Sequence, residues 1–547
     1  MKRISTVLAA IGICLGLQAQ NVSDALRFSV NDYFGTARSI AMGNAFTALG
    51  GDIGSITINP AGSAVNNYSQ ISFSPALNIM GGKTEYSADG YVGNGNPTRT
   101  SSYAKASGQI PSWGAVMNFD THRKRGLKSF SFGVVGNATA SYGNDLLAEG
   151  YNPNSSYMGY LAALYMDYLA ALSSIDGLSE ATLDKGSYWD INPNYWPAVV
   201  GYRSGMISSS GNGDYVGVAQ GIASDGSYPV LGELRQKYGK LTTGSKSDIV
   251  FNFGMNFNNR LYIGANLGIT DLSYSSRMQI SESAVNVTDF PVTVDGQTDY
   301  FKSMRMREYY RASGSGLYGK FGIIYKPVGG LRLGASVQTP TVNYITEHLW
   351  YSGETDFDNA YGYEDISEKD EYIYDYRLVS PMRADIGVAY TFGKAGLVSV
   401  DYELCNYSSM RFKEIGSSDN GGFDNSNRSI EDGAGVSHML RIGAEMNVLP
   451  ALALRFGYNL TSTPERYIND SGAKVSPGTF TQSIACGVGY RSPRSFFCDL
   501  ALRSRIDPVE YIYPYPSYDA GTRFVLSPEI VNRASLASIV MTFGWRF

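Results

Sequence analysis

Past its first twenty residues this chain has no run of eighteen apolar residues. That absence excludes a helical membrane protein, whose spans need about twenty. Charge is scarce too, with Asp, Glu, Lys and Arg making up 17% of the chain. Histidine occurs only at His122, His348 and His438, with no metal-ligand spacing, so neither a metal site nor a cofactor is expected. The fragment Gly314-Ser315-Gly316 stops short of a nucleophile elbow and no other catalytic set emerges, so no enzyme is expected. Of four cysteines, Cys14 falls in the leader. The remaining three, Cys405, Cys486 and Cys498, are an odd number and argue against a disulfide framework. Cys486 and Cys498 fall on neighbouring predicted strands, so a bridge stays open, although small lipid-facing residues are the plainer reading. No basic patch points to nucleic acid.

What the chain does have is tyrosine, 41 of them, and glycine, 62. Tyrosine suits strands and membrane interfaces, where its ring is apolar and its hydroxyl wet. The last residues are the most informative. From Ala537 onward every odd position is apolar: Ala537, Ile539, Met541, Phe543, Trp545, Phe547. A period-two strand ending in Phe, with an aromatic two residues earlier, resembles the assembly signal of bacterial outer-membrane barrels, one face to lipid and one to a wet lumen. Residues 1–19 read as a cleaved signal peptide. Lys2 and Arg3 start it, Ile4 to Leu17 is its apolar run, and Leu17-Gln18-Ala19 offers the cleavage site. Ile11-Gly12-Ile13 lacks the small residue a lipoprotein needs before Cys14. Loss of Lys2 and Arg3 takes the formal charge from −5 to −7.

Fourteen segments alternate at the length of a membrane strand, about 9–11 residues. They are 71–79, 111–119, 129–138, 249–257, 260–270, 316–326, 331–339, 382–393, 396–407, 437–448, 451–460, 479–490, 496–506 and 535–547. The gaps alternate as well. Short ones such as Asn258-Asn259 and Leu449-Pro450 carry turn residues. Long ones are 80–110, 139–248, 271–315, 340–381, 408–436, 461–478 and 507–534. Short periplasmic turns and long outer loops are the habit of outer-membrane barrels, and an even strand count brings both ends to the periplasmic side. The expected fold class is therefore all-β, a 14-stranded antiparallel transmembrane β-barrel over residues 71–547, in the bacterial outer membrane and in contact with its lipids.

So wide a barrel needs a plug or conducts water. Residues 20–70 are the candidate, an N-terminal lumenal hatch. Turn formers such as Gly50-Gly51-Asp52 and Asn59-Pro60-Ala61-Gly62 interleave there with Ile40, Met42, Phe46, Leu49, Ile53, Ile56 and Ile58, which argues against a disordered tail. This segment, Gly35 to Gly62, resembles the N-terminal hatch of FadL/TodX-type outer-membrane transporters of hydrophobic compounds. Asn59, Pro60 and Ala61 align with that family's hatch motif. The resemblance implies a fourteen-stranded barrel and uptake of hydrophobic molecules such as long-chain fatty acids. It also implies capture by loops and movement of the hatch, with release either to the periplasm or sideways at a kink in the third strand. Gly133 and Gly136 lie in that strand here and are the candidate kink, with ordinary small-residue packing as the alternative.

A buried carboxylate needs a cation. The lumen-facing candidates are Lys320, Arg383, Arg441, Arg455, Arg503 and Arg505. Each has a plainer reading within wall charge ladders: Arg455 facing Glu445 across the Leu449-Pro450 turn, Arg383 beside Asp385. The 139–248 loop holds one helical pattern, Leu161, Leu164, Tyr165, Tyr168, Leu169 and Leu172, starting near Asn154 or Ser155. Its stripe is either an outer capture surface or packing against other loops, and packing is the commoner role. Three other functions stay open: a haemin receptor using His348 or a loop tyrosine, a protein-binding barrel of a type IX secretion shuttle, and a general porin. A monomer binding a fatty acid-like ligand is the expected state.

Overall fold

The computed structural model describes residues 21–88, 99–173, 187–210, 213–294, 297–366, 371–416, 422–469, 472–493 and 495–547. The expected leader lies outside the described residues.

Fourteen antiparallel strands close into one barrel. In chain order they are β1 (Gln70–Ser87), β2 (Arg99–Asp120), β3 (Leu127–Ser141), β4 (Leu234–Phe257), β5 (Leu261–Ala284) and β6 (Gln297–Tyr325). Three strands follow in two pieces each: β7 (Leu331–Gln338, Val342–Phe357), β8 (Tyr372–Val379, Arg383–Thr391) and β9 (Gly396–Asn406, Arg411–Glu414). The last five are β10 (Val436–Leu449), β11 (Leu452–Ser462), β12 (Phe480–Arg491), β13 (Phe496–Ile506) and β14 (Glu529–Arg546). β14 pairs with β1 from Gln70↔Arg546 upward, and Ser69 and Phe547 exchange two backbone hydrogen bonds of 3.0 Å. Closure leaves the sheet no edge, which is what allows a strand wall to exist in lipid. Each segment expected from its alternation lies in one of these strands.

The alternation sorts as expected. Ile71, Phe73, Phe251, Leu267, Phe321, Phe456, Leu502 and Ile539 face outward and are exposed, while Asn252, Asn266, Lys320, Arg455, Asp499 and Thr542 face inward and are buried. Cys486 and Cys498 belong to the outer set and are free thiols. They do not face each other, since Cys486 lies opposite Leu502 and Cys498 opposite Tyr490.

One rim carries the short turns. Asn258 and Asn259 have φ of 56° and 55°, left-handed backbone that asparagine tolerates, in the three-residue connection between Phe257 and Leu261. At the other rim the expected long loops are in large part strand. The β1–β2, β5–β6 and β7–β8 hairpins run well beyond the apolar belt, and Asn144–Asn152 adds to β4. On β5 the belt ends at Ile269, and Asp271 and Ser273 follow on the same face. Above that level lipid no longer selects apolar side chains, but backbone pairing continues, so the alternation fades while the strand does not.

The upper rim is closed by a cap built on α3 (Tyr157–Ser173) and α4 (Trp196–Arg203). The lumen holds the N-terminal segment, with α1 (Val22–Ser29), α2 (Ala37–Ala41) and two 3₁₀ turns, Gly54–Thr57 and Pro60–Val65.

Candidate functional site

The N-terminal segment is held as a plug. Residues 33–64 are almost entirely buried and bond to strands around the ring. Asn59 is its central clip. Its side-chain oxygen accepts from the Ala61 amide at 3.0 Å and starts the Pro60–Val65 turn. Its side-chain amide donates to Thr47 O at 2.6 Å within the plug and to Ile323 O at 3.1 Å on β6. Asn252 and Asn266 reach inward to Pro60 O and Ile56 O at 3.0 and 2.9 Å. Inward glycines make room. A Cβ on Gly322 would sit 2.0 Å from Asn59 Oδ1, and one on Gly264 would sit 2.3 Å from the Pro60 carbonyl carbon.

Beneath and beside the plug lies a buried charge ladder. Asp385 takes Lys320 at 3.4 Å and Arg441 at 2.5 Å; Glu403 takes Arg383 at 2.9 Å and Arg441 at 3.4 Å. Glu445 joins Arg455 of the wall, at 2.7 Å, to Arg38 of the plug, at 2.8 Å, and Arg455 goes on to Asp499 at 2.5 Å. Asp32 of the plug bridges Arg503 and Arg505. Burial pushes the Asp32 carboxyl up, but the two guanidiniums outweigh it and hold the group below the usual carboxylate range. Among the described residues Asp52 forms no such ion pair, and Arg38 acts on it only at longer range. Burial raises its pKa although it accepts from Thr36 Oγ1 at 2.7 Å and the Gly54 amide at 2.9 Å.

The third strand leaves its neighbour. β2 pairs with β3 only between Ser112↔Asn137 and Asp120↔Ser129. Beyond Asn137 the plug takes over as partner: the Phe34 amide donates to Ala138 O at 3.2 Å and the Asp32 amide to Thr139 O at 2.7 Å. The chain then crosses to the inner side of β1, where Thr84 Oγ1 donates to Leu147 O at 2.6 Å and Gly150 lies flat against the Tyr86 ring. Across this seam β2 holds on by side chains, Lys105 to Thr242 O at 3.1 Å and Arg99 to Glu149 at 2.9 Å.

Above α1 the inward faces of β4–β8 carry a tyrosine-rich vestibule wall. Tyr274, Tyr310, Tyr372, Tyr374 and Tyr376 line it with Met278 and Leu349, several of them only half-buried. The Tyr310 and Tyr376 hydroxyls both donate to Glu347. Arg27 of the plug stacks over Tyr274 at 4.8 Å and pairs with Asp24. Lys240 also points inward, half-buried, and no carboxylate of the described residues lies within ion-pair distance of it. Its charge acts at longer range on Glu308, Tyr238 and Tyr274, and aromatic walls around a cation outside any salt bridge suit an amphiphile with an anionic end.

Among the solved structures this chain resembles are three matched over most of their lengths. A Pseudomonas aeruginosa FadL homologue is 12% identical, with 94% of this chain and 99% of that one covered, at a TM-score of 0.49. For the Pseudomonas putida toluene transporter TodX the figures are 12%, 94%, 98% and 0.46. For the CymD monoaromatic hydrocarbon channel they are 12%, 93%, 97% and 0.41. No protein-family model matches the chain and no curated protein matches it.

Several expected site residues land elsewhere than their proposed roles require. Lys320, Arg383, Arg441, Arg455 and Arg503 are all tied to carboxylates, so none is free for a ligand; the charge-ladder reading accounts for them. Arg383 pairs with Glu403, across the β8–β9 ladder, and not with Asp385. The ladder runs unbroken through Gly133 and Gly136, the latter lying beneath the Trp113 indole. The departure of β3 comes later, where the plug backbone competes for its carbonyls. In α3, Leu161, Tyr165 and Tyr168 are buried and Leu164 and Leu169 half-buried in the core of the cap, so they present no capture surface. Tyr165 stacks on Tyr202 at 4.9 Å and Tyr168 on Tyr195 at 4.7 Å. His348 faces outward on β7, 2.8 Å from Glu371, away from the vestibule. Lys240 and the vestibule tyrosines lie in segments read as loops. The period-two run Tyr372, Tyr374, Tyr376 was the signal that could have placed them on a strand.

Proposed function

We propose that this chain is an outer-membrane transport protein for hydrophobic molecules with an anionic end, taken up through the vestibule and passed around a movable plug. The observation that carries the reading is the pairing of a plug bonded to strands across the lumen with an aromatic wall above it that holds Lys240, a cation in no salt bridge among the described residues. A plug anchored on all sides disfavours bulk water flow. A tyrosine-lined space above it suits a ligand that partitions poorly into water. The seam at β2–β3 supplies a route outward into the membrane, because side chains and the plug, not a backbone ladder, close it. If Asp32 and Phe34 withdraw, β3 loses its partner there, so plug movement and seam opening are one event. The resemblance of Gly35–Gly62 to the FadL/TodX hatch supports the same reading.

Mass spectrometry of lipid extracted from purified protein tests it. Wild type should carry a bound long-chain acid or similar amphiphile, and Lys240→Met should carry several-fold less. Ligand-free preparations that conduct ions freely would refute it and favour a porin.

A further inference from the structure

The short-turn rim carries a cationic arc on an otherwise acidic protein. The β2–β3 turn reads Asp120-Thr-His-Arg-Lys-Arg-Gly-Leu-Lys128, and Arg123, Lys124 and Arg125 are exposed. Folding joins two more turns to it. The Asn258 amide donates to Gly126 O at 3.0 Å and the Gly126 amide to Asn258 Oδ1 at 2.8 Å. The Lys326 amide donates to Arg260 O at 2.7 Å. Arg260 and Lys326 thereby extend one arc along the rim from Arg123 to the start of β7. Asp120 is the only carboxylate on these three turns, and it lies 3.9 Å from His122. Among the described residues none of Arg123, Lys124, Arg125 or Arg260 has an ion-pair partner, in a chain whose formal charge is −5.

The arc sits directly below the lipid-facing belt. Phe119, exposed on β2 and stacked on Phe130 at 5.2 Å, immediately precedes Asp120, and exposed Tyr325 immediately precedes Lys326. Aromatic rings at this level sit at the headgroups, and long cationic side chains reach the phosphates beside them. We propose that this arc binds anionic phospholipid headgroups of the periplasmic leaflet, orienting the barrel and fixing the rim through which its plug enters. The proposal rests on the reading of the barrel as membrane-spanning and on nothing in the vestibule. The cations follow Phe119 and Tyr325 within a few residues, which keeps them within side-chain reach of the headgroups and favours lipid over the more distant carboxylates of the cell wall.

The test compares full-length wild type with an Arg123→Gln/Lys124→Gln/Arg125→Gln variant, reconstituted in phosphatidylcholine vesicles containing graded phosphatidylglycerol. Lipid retained after detergent extraction is counted by native mass spectrometry. Each cation near an anionic surface is worth up to about five-fold in partitioning. The variant should therefore retain at least about ten-fold less phosphatidylglycerol, with phosphatidylcholine unchanged, and high salt should reduce wild-type retention similarly. Equal retention of both lipids by wild type, or unchanged retention by a folded variant, overturns the proposal. Loss of binding to isolated cell-wall sacculi with lipid retention unchanged also overturns it and assigns the arc to that polymer. Wild-type protein that does not insert into any vesicle defeats the membrane-barrel reading instead, a result distinct from insertion without lipid preference. Should the triple variant fail to fold, the salt dependence of wild-type retention decides.

Discussion

Replacing Asn59 with alanine should loosen the plug while leaving the barrel folded. The side chain makes three hydrogen bonds of 2.6 to 3.1 Å, to Thr47 O, Ala61 N and Ile323 O, and a fourth, longer one of 3.3 Å to Ala335 O that shares the same two N–H groups. All lie in a buried environment where no water replaces them. At about 1 kcal/mol net each, their loss costs the docked plug roughly 3 kcal/mol, about a 150-fold rise in the opening equilibrium. The barrel ladders do not depend on this residue, so heat-modifiable migration of the folded protein should persist. Hydrogen exchange at the plug amides, those of Ile58 and Gly62 among them, is the direct readout, and ion conductance in planar bilayers is the second. Gly322→Ala gives an independent perturbation, because its Cβ would press within 2.0 Å of Asn59 Oδ1 from the wall side. Both variants should exchange faster and leak more. Wild-type exchange and conductance in both would refute the idea that Asn59 clips the plug to the wall.

Arg441→Met should destabilise the barrel by about 3 kcal/mol, since Asp385 and Glu403 would each lose a buried cation. A lower urea midpoint for unfolding checks this, and an unshifted midpoint contradicts it. The cap should respond to pH. Glu282, above the lipid belt, accepts from Ser156 Oγ, Tyr157 N and Gln236 Nε2 at 2.6 to 2.7 Å, and burial pushes its pKa up to about 7. The folded cap binds this proton more tightly than the unfolded chain, whose reference value is 4.5. Its stability should be greatest below about pH 4.5 and fall by no more than about 3 kcal/mol as pH rises through 7. Limited proteolysis of the cap across that window measures it, and Glu282→Gln should flatten the profile. A wild-type profile already flat between pH 4.5 and 7 would show that the carboxylate stays charged throughout.

The wall was legible in the primary structure because lipid imposes a period-two code. Wherever one face must be apolar and the other wet, as in Ile249–Phe257 or Ala537–Phe547, the pattern names the strand and its inward face. The plug was legible for a related reason, since turn formers interleaved with isoleucines require a compact buried segment. Above Ile269 on β5 the code stops, and strands there read as loops although their ladders continue. Charge pairing was hidden as well. Which carboxylate meets Arg383 or Arg503 depends on registers across strands and on a plug residue hundreds of positions away, and no local pattern records either. Glycine marks bends locally, so a third-strand kink implied by the family resemblance points to Gly133 and Gly136, with small-residue packing as the alternative. The structure sets it beyond Asn137, because Asp32 and Phe34 compete there for carbonyls that β2 would otherwise take. Alternation thus determined a closed barrel, because a period-two face code is local. Only the tertiary structure decided which cations stay outside salt bridges, since pairing a buried charge is a long-range contact that local periodicity does not encode.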